Sequence, residues 1–198
     1  MRAITTAALG LALCASTATA QYPQQALQST RTVRFGIGGG MSVPTGDFEK
    51  AFDNGWNGQA FVQLAPRLLP VSVRLTAMFN RFDFKSSDVS VGGTELDGYS
   101  QVAGGLANLT YAFPLGPVSP YLSAGLGALN VKSYFDTGSG DETSSSTRFA
   151  VNGGAGLALH IMGADAFLEA RVANVYTDKG VIDTKSIRYI PVTFGIIF

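Results

Sequence analysis

The sequence predicts an all-β protein: an eight-stranded antiparallel up-and-down transmembrane β-barrel. Three observations predict it. Eight segments bounded by turn residues alternate in twos and are rich in Gly, Val, Phe, Tyr and Thr, the pattern of strands with two different faces. The connections between them alternate between short and long, as in barrels that cross a membrane. Twelve of the fourteen acidic residues fall in the long connections, clear of any segment that would meet hydrocarbon.

The N-terminus precedes this pattern. Residues 1–20 carry Arg2, an apolar run from Ala7 to Ala15 and the small-residue site Ala18-Thr19-Ala20, so a cleavable secretory signal is expected, with the mature chain beginning at Gln21. A lipidated Cys14 is the competing reading, against which stands Leu13, where a small residue normally precedes such a cysteine. Cys14 is the only cysteine, so cleavage after Ala20 leaves no thiol, disulfide or cysteine-based metal site. An N-terminal extension, 21–32, then leads to the barrel domain, 33–198. Zero net charge argues against nucleic acid as a partner. The chain is 46% hydrophobic and 14% charged, yet beyond the signal no apolar run approaches the roughly 18 to 20 residues of a spanning helix.

In order, the expected strands are Val33 to Val43, Asn57 to Pro66, Val71 to Phe82, Tyr99 to Phe113, Pro120 to Ser133, Thr147 to Ile161, Ala166 to Val175 and Ile187 to Phe198. Each reaches the roughly 9 to 11 residues that a tilted strand needs to cross hydrocarbon. Arg67 to Pro70, Pro114 to Ser119 and Met162 to Asp165 are the short connections. Pro44 to Trp56, Asp83 to Gly98, Tyr134 to Ser146 and Tyr176 to Ser186 are the long, polar ones. With eight strands both chain ends fall on the short-turn side, which is periplasmic in such a barrel. Of the acids, Asp165 sits in a short turn and only Glu169 inside a strand.

The faces follow from the alternation. Ile190, Val192, Phe194, Ile196 and Phe198 share one face of the last strand and are expected to meet lipid; Val71, Val73, Leu75 and Leu168, Ala170, Val172 do the same on two others. The opposite faces send Arg34, Gln63, Arg74, Asn108, Asn152, Glu169 and Arg171 into the lumen, where Glu169 is expected to pair with an arginine in a polar, plugged interior. The inward glycines Gly36, Gly38, Gly40, Gly154 and Gly156 make room for long side chains. The fourth and fifth strands carry small residues on both faces and leave their orientation open. Phe35, Tyr111, Phe113, Tyr121 and Phe198 near the short turns, and Trp56, Phe79, Phe82, Tyr99, Tyr134, Phe149, Tyr176 and Tyr189 near the long loops, suggest two interfacial belts.

On these residues the mature chain resembles the OmpA-like eight-stranded outer-membrane β-barrel superfamily of small porin-like proteins. The terminal Phe198 with alternating Ile196, Phe194, Val192 and Ile190 resembles the C-terminal signal read by the outer-membrane assembly machinery. Phe35 to Met41, then Pro44-Thr45-Gly46-Asp47-Phe48 and Gly55-Trp56, is similar to the first strand and loop of such barrels. The resemblance implies the bacterial outer membrane, with the assembly machinery, outer-membrane lipid and lipopolysaccharide as partners. The chain ends at the eighth strand, so a wall-anchoring role does not carry over.

Chemistry is sparse in the sequence. The single histidine, His160, is expected near a short turn as a satisfied rim or lumen residue, with no Ser-His-acid arrangement visible. Glu169 and Arg171 suggest either a core ion pair or a charged gate, although eight strands enclose an interior that side chains can fill. Asp136 to Glu142 gathers three acids and two glycines without EF-hand spacing and reads as a solvated loop. The sequence thus names no catalytic residue, cofactor or metal. A structural or interaction barrel is the leading expectation, ahead of a narrow solute channel and a lipid-modifying enzyme.

Overall fold

A period of two places successive side chains on opposite faces of a strand, and strands with one face for lipid and one for an enclosed lumen are satisfied together only by closing the sheet. The computed structural model describes residues 33–66, 71–84, 90–91, 94–95, 98–113, 115–136, 141–161, 163–176 and 186–198. The expected signal segment, Cys14, the extension 21–32, the short connection 67–70 and most of the last long connection lie outside the described residues.

Strand β1 (Val33–Thr45) leads into helix α1 (Asp47–Ala51), followed by β2 (Gly55–Leu64) and β3 (Val71–Asp83). A two-stranded ribbon, β4 (Ser90–Val91) and β5 (Thr94–Glu95), precedes β6 (Gly98–Ala112), β7 (Val118–Asp136), β8 (Asp141–Ile161), β9 (Ala164–Val175) and β10 (Ile187–Ile197). The ribbon stands apart, and the other eight strands close in the order β1-β10-β9-β8-β7-β6-β3-β2. Every neighbouring pair is antiparallel. Closure runs from Gly36 opposite Ile197 to Thr45 opposite Arg188. Past it, Phe35 and Phe198 exchange both backbone hydrogen bonds, at 2.9 and 2.8 Å, and their rings stack at 6.3 Å. The terminal aromatic thus completes the seam, leaving no unpaired edge there.

The faces follow the alternation. Val192, Phe194, Ile196 and Phe198 are exposed, whereas Thr193 and Ile197 between them, and Tyr189 before them, are buried; β3 and β9 repeat this with Val73, Leu75, Leu168 and Val172 outside. The register also settles β6 and β7: Leu109, Leu122 and Leu126 face outward, and Leu106 and Leu129 face the lumen. Among the inward glycines, Gly36 and Gly156 lie under lumen rings; a Cβ would meet Phe61 at 2.2 Å from Gly36 and Tyr121 at 2.3 Å from Gly156. Only a hydrogen at those positions lets the rings cross the bore.

Several sequence expectations are corrected. The connection Tyr134 to Ser146 is mostly strand, because β7 and β8 keep pairing from Val131 opposite Ser146 to Asp136 opposite Asp141. Side chains reinforce the ladder: Asn130 Nδ2 donates to Thr147 Oγ1 at 3.1 Å, and Ser145 Oγ donates to Asn130 Oδ1 at 3.2 Å. The change to polar residues marks where hydrocarbon would end, whereas backbone pairing continues wherever both strands remain extended. Glu169 is accordingly not the only acid in a strand, since Asp83, Glu95, Asp136, Asp141, Glu142 and Asp165 also lie in strands, each near a strand end. The belts are narrower than expected, because Phe82, Tyr121 and Tyr189 turn inward and are buried. Phe35, Tyr111, Phe113 and Phe198 remain exposed at the short-turn end, as do Trp56, Phe149 and Tyr176 at the other.

The connection Pro44 to Trp56 is also not plain loop. Helix α1 carries Asp47 and Glu49 in its first turn and Lys50 in its last, the charge order that suits the helix dipole. Lys50 Nζ donates to Asp47 Oδ1 at 2.8 Å, and that hydrogen bond, with the carboxylate's charge, raises the lysine pKa above its ordinary value. Phe48, on the helix, and Phe52, just beyond it, turn into the barrel mouth. Their rings lie 4.3 Å apart, with Phe82 5.1 Å from Phe48 and Phe84 4.4 Å from Phe52. The first connection is thereby folded down as an aromatic lid.

Candidate functional site

The lumen gathers the expected polar residues, but it is not polar throughout. Toward the long loops, Met78, Phe82, Val102, Leu106, Leu129 and Val175 form a continuous apolar cluster with the lid phenylalanines. This corrects the expectation of a wholly polar interior. Buried polar groups are set into it, among them Asn80, which accepts from Ser42 Oγ at 2.8 Å and donates to the Val102 carbonyl at 3.3 Å.

The polar tier lies below, toward the short turns. Glu169 bridges two arginines: its Oε2 accepts from Arg74 Nη1 at 2.8 Å and its Oε1 from Arg171 Nε at 3.0 Å. All three side chains are at most 3% exposed. Buried charge requires complete pairing, and amides supply the remainder. Gln63 Oε1 accepts from Arg74 Nε at 3.1 Å and Nη2 at 2.9 Å, and its amide donates to Ser72 Oγ at 2.8 Å. Gln59 accepts from Arg171 Nη2. The Arg74 guanidinium also lies 4.1 Å from the Phe61 ring centroid and 5.3 Å from that of Tyr121, so two aromatic faces complete its cage. Asn108 donates to Thr76 Oγ1 at 3.3 Å. Asn152 is buried in the same wall, but its amide makes no hydrogen bond to the described residues. Of the expected lumen set, Arg74, Glu169, Arg171 and Gln63 form one network, while Arg34 and Asn152 stand outside it.

Arg34 belongs instead to the barrel floor. It pairs with Asp165 Oδ2, whose Oδ1 lies 3.0 Å from His160 Nδ1. His160 Nε2 in turn lies 3.1 Å from Ser119 Oγ. An ionised carboxylate only accepts, so Nδ1 carries the proton and Nε2 accepts from the serine. A Ser-His-Asp arrangement therefore exists, which corrects the expectation that none is present. The signal was available in the connection lengths: the short turns Pro114 to Ser119 and Met162 to Asp165 bring all three residues to one end. The chain Ser119-His160-Asp165-Arg34 crosses β7, β8, β9 and β1 and laces the floor together.

The outer face carries a further pattern that sequence reasoning missed. Arg81, Gln101 and Lys132 share one row across β3, β6 and β7, with Trp56 of β2 beside Arg81. Nearer the short-turn end a shallow apolar groove crosses β1, β2, β3, β6 and β7, with Phe35, Val62, Leu75, Ala107, Leu126 and Phe198 in its lining. The acid-rich segment from Asp136 to Glu142 spans the β7–β8 tip, of which 137–140 lie outside the described residues. Among the described residues no group of three His, Cys, Asp or Glu side chains converges as a metal site.

Comparison with known proteins gives a consistent result. The model of the family described as "Outer membrane protein beta-barrel domain" matches residues 6–191. No curated protein matches the sequence. Among solved structures, neisserial surface protein A superposes with a TM-score of 0.56 at 16% identity, covering 84% of this chain and 96% of that one. Ail, the attachment invasion locus protein of Yersinia pestis, gives 0.54 at 17% identity, covering 84% and 97%. A major outer membrane protein from Thermus thermophilus gives 0.53 at 14%, covering 85% and 99%. At these identities the likeness speaks to the fold alone.

Proposed function

Because the chain belongs to the outer membrane protein beta-barrel domain family, we propose that it is a non-enzymatic scaffold whose barrel holds a contact platform outside the bacterial outer membrane. The observation that carries this reading is the β7–β8 hairpin, whose pairing continues past the apolar band to Asp136 and Asp141. Tyr99 of β6 stacks on Tyr134 at 4.6 Å and braces it. A paired, braced extension holds its backbone in fixed register, which suits recognition better than a free loop does.

In this reading both termini are periplasmic and the long connections face outward, toward lipopolysaccharide and external partners. Ile190, Val192, Phe194, Ile196 and Phe198 act as the signal taken up by the assembly machinery. The lumen does not conduct, because the apolar tier and the Phe48–Phe52 lid lie across it. A narrow channel is the second reading, favoured by the buried Arg74–Glu169–Arg171 cluster. Single-channel recordings decide between them: the scaffold shows no discrete openings, whereas a gate shows openings whose size changes in Glu169→Gln.

The scaffold reading is tested by comparing boiled and unboiled gel mobility and by adding protease to intact cells. A heat-dependent shift with cleavage confined to the long connections supports it. A soluble periplasmic protein without a shift overturns it.

A further inference from the structure

We propose that the polar tier of the lumen binds one small monovalent anion of the halide class, held beside Arg171 against the inner wall of β8. The inference stands on the buried cluster itself and is independent of which way the barrel faces.

Charge is its first ground. Arg74 and Arg171 bring two positive charges and Glu169 one negative, with all three side chains at most 3% exposed. The other buried acid among the described residues, Asp165, is committed to Arg34 and His160 at the floor. One positive charge is therefore left over in a closed, low-dielectric space, where an unbalanced charge is strongly unfavourable. Gln63 and Gln59 turn their carbonyls to Arg74 and Arg171, and Phe61 and Tyr121 turn their rings to Arg74. Those dipoles and quadrupoles offset the excess without cancelling it.

Donors are the second ground. The two guanidiniums use only part of their N–H groups, since Arg171 spends Nε on Glu169 and Nη2 on Gln59. Two further side chains of the same wall are buried without a hydrogen bond to the described residues: the Tyr121 hydroxyl, in a residue 3% exposed, and the Asn152 amide, in one 8% exposed. Asn108 Oδ1 is an unpartnered acceptor, but it lies over Gly125 of β7, on the side of Asn152 away from Arg171. Beside Arg171 the surplus is of donors, which is the imbalance an anion corrects.

Register is the third. Inward along β8 stand Asn152, Gly154 and Gly156, opposite Ala173, Arg171 and Glu169 of β9. A Cβ on Gly154 would meet Arg171 Cγ at 2.7 Å, and one on Gly156 would meet the Tyr121 oxygen at 2.5 Å. The two glycines thus let the arginine stem and the phenol lie flat on the wall, and Asn152, Arg171 and the Tyr121 hydroxyl share one stretch of it. An excess of a single charge selects a monovalent ion, because sulfate or hydrogen phosphate would reverse the imbalance. A halide accepts from whatever directions the donors offer.

The barrel is refolded into phosphatidylcholine vesicles in sodium chloride or sodium gluconate of equal ionic strength, because a closed lumen takes up its ion during folding. Urea unfolding reads the result. The midpoint should be higher in chloride. Above the dissociation constant, the folding equilibrium constant should rise about tenfold for each tenfold rise in free chloride, the slope of one site. Asn152→Asp, which is isosteric and supplies the missing charge covalently, should be insensitive to chloride and as stable in gluconate as the parent in saturating chloride. Arg171→Gln removes the excess charge and should also lose the dependence. Arg81→Gln removes an outward cation, controls for surface screening and should keep it. Unboiled gel mobility reports that each variant has folded. In crystals of the refolded barrel grown with bromide, the anomalous signal should lie beside Arg171 and vanish in Asn152→Asp.

Equal midpoints in the two salts overturn the inference, as does a chloride dependence that persists in both lumen variants. Persistence in Asn152→Asp alone overturns the placement against β8. Bromide found only on the barrel surface is an adventitious ion only and overturns the site. Phenolate absorbance at neutral pH that disappears in Tyr121→Phe would assign the balancing charge to Tyr121 and remove the need for an ion.

Discussion

Toward the short turns the lumen holds Glu169 between Arg74 and Arg171, whereas toward the long loops the same eight walls enclose Met78, Val102, Leu106 and Leu129. Both tiers are closed to solvent, so they face the same requirement with different chemistry. In the polar tier each group depends on a named partner at a fixed distance, and losing one member leaves another charged and buried. In the apolar tier no contact is obligatory, and what counts is the volume filled. The lower tier therefore has more to lose from a single change, and the upper tier yields in proportion to the atoms removed.

The largest effect that separates the tiers is expected at Glu169. Glu169→Ala leaves two buried guanidiniums without their carboxylate and should cost about 3 to 5 kcal/mol in urea unfolding of the reconstituted barrel. The triple change Arg74→Met, Glu169→Leu, Arg171→Met removes every charge together and should recover most of that loss. If the triple variant is as unstable as the single one, the cost lies in shape and not in unpaired charge. Leu129→Ala comes next at about 2 to 4 kcal/mol, scaling with the cavity left behind. Leu106→Ala/Leu129→Ala should still show no discrete ion currents, because the Phe48–Phe52 lid and the Arg74–Glu169–Arg171 network remain across the bore.

Smaller again is Gly156→Ala, whose added methyl would stand 2.3 Å from the Tyr121 ring. Displacing that ring, which flanks Arg74, should cost about 1 to 3 kcal/mol as overpacking. The companion change Tyr121→Leu should relieve part of it. An unchanged unfolding midpoint in Gly156→Ala would mean the ring moves freely, and the aromatic cage around Arg74 would be looser than its 5.3 Å separation implies.

The barrel was legible in the sequence because β3, β9 and β10 alternate between large apolar and polar side chains, so each residue announces its face. The polar tier was legible for the same reason: a charge at a strand position of a membrane barrel has only the lumen to enter. The apolar tier was not. Leu106 and Leu129 look the same in sequence as Leu109 and Leu122, and only the register of neighbouring strands divides them between lumen and lipid. The length of β7 and β8 was hidden differently, since serine and threonine at 143–147 interrupt the apolar pattern without interrupting backbone pairing. The outward cationic row escaped because Arg81, Gln101 and Lys132 are unremarkable singly and meet only through two strand pairings.

The floor chain tests whether partner geometry alone makes a site. Ser119, His160 and Asp165 show the spacing of a nucleophile, a base and an orienting acid, at 3.1 and 3.0 Å. Asp165, however, also pairs with Arg34, and Ser119 is only 7% exposed, so the serine is poorly placed to meet a substrate. Acyl transfer further needs donors set where the oxyanion forms, which partner spacing does not supply. As a structural seam, His160→Ala removes two hydrogen bonds to the buried Ser119 and Asp165 but leaves Asp165 paired with Arg34, and the expected loss is about 1 to 2 kcal/mol. A fluorophosphonate probe, which marks activated serines, should leave the native barrel unlabelled. Labelling that Ser119→Ala abolishes would instead give the floor a chemistry of its own, and the barrel would then carry its charge for stability in the Glu169 network and for reaction beneath it.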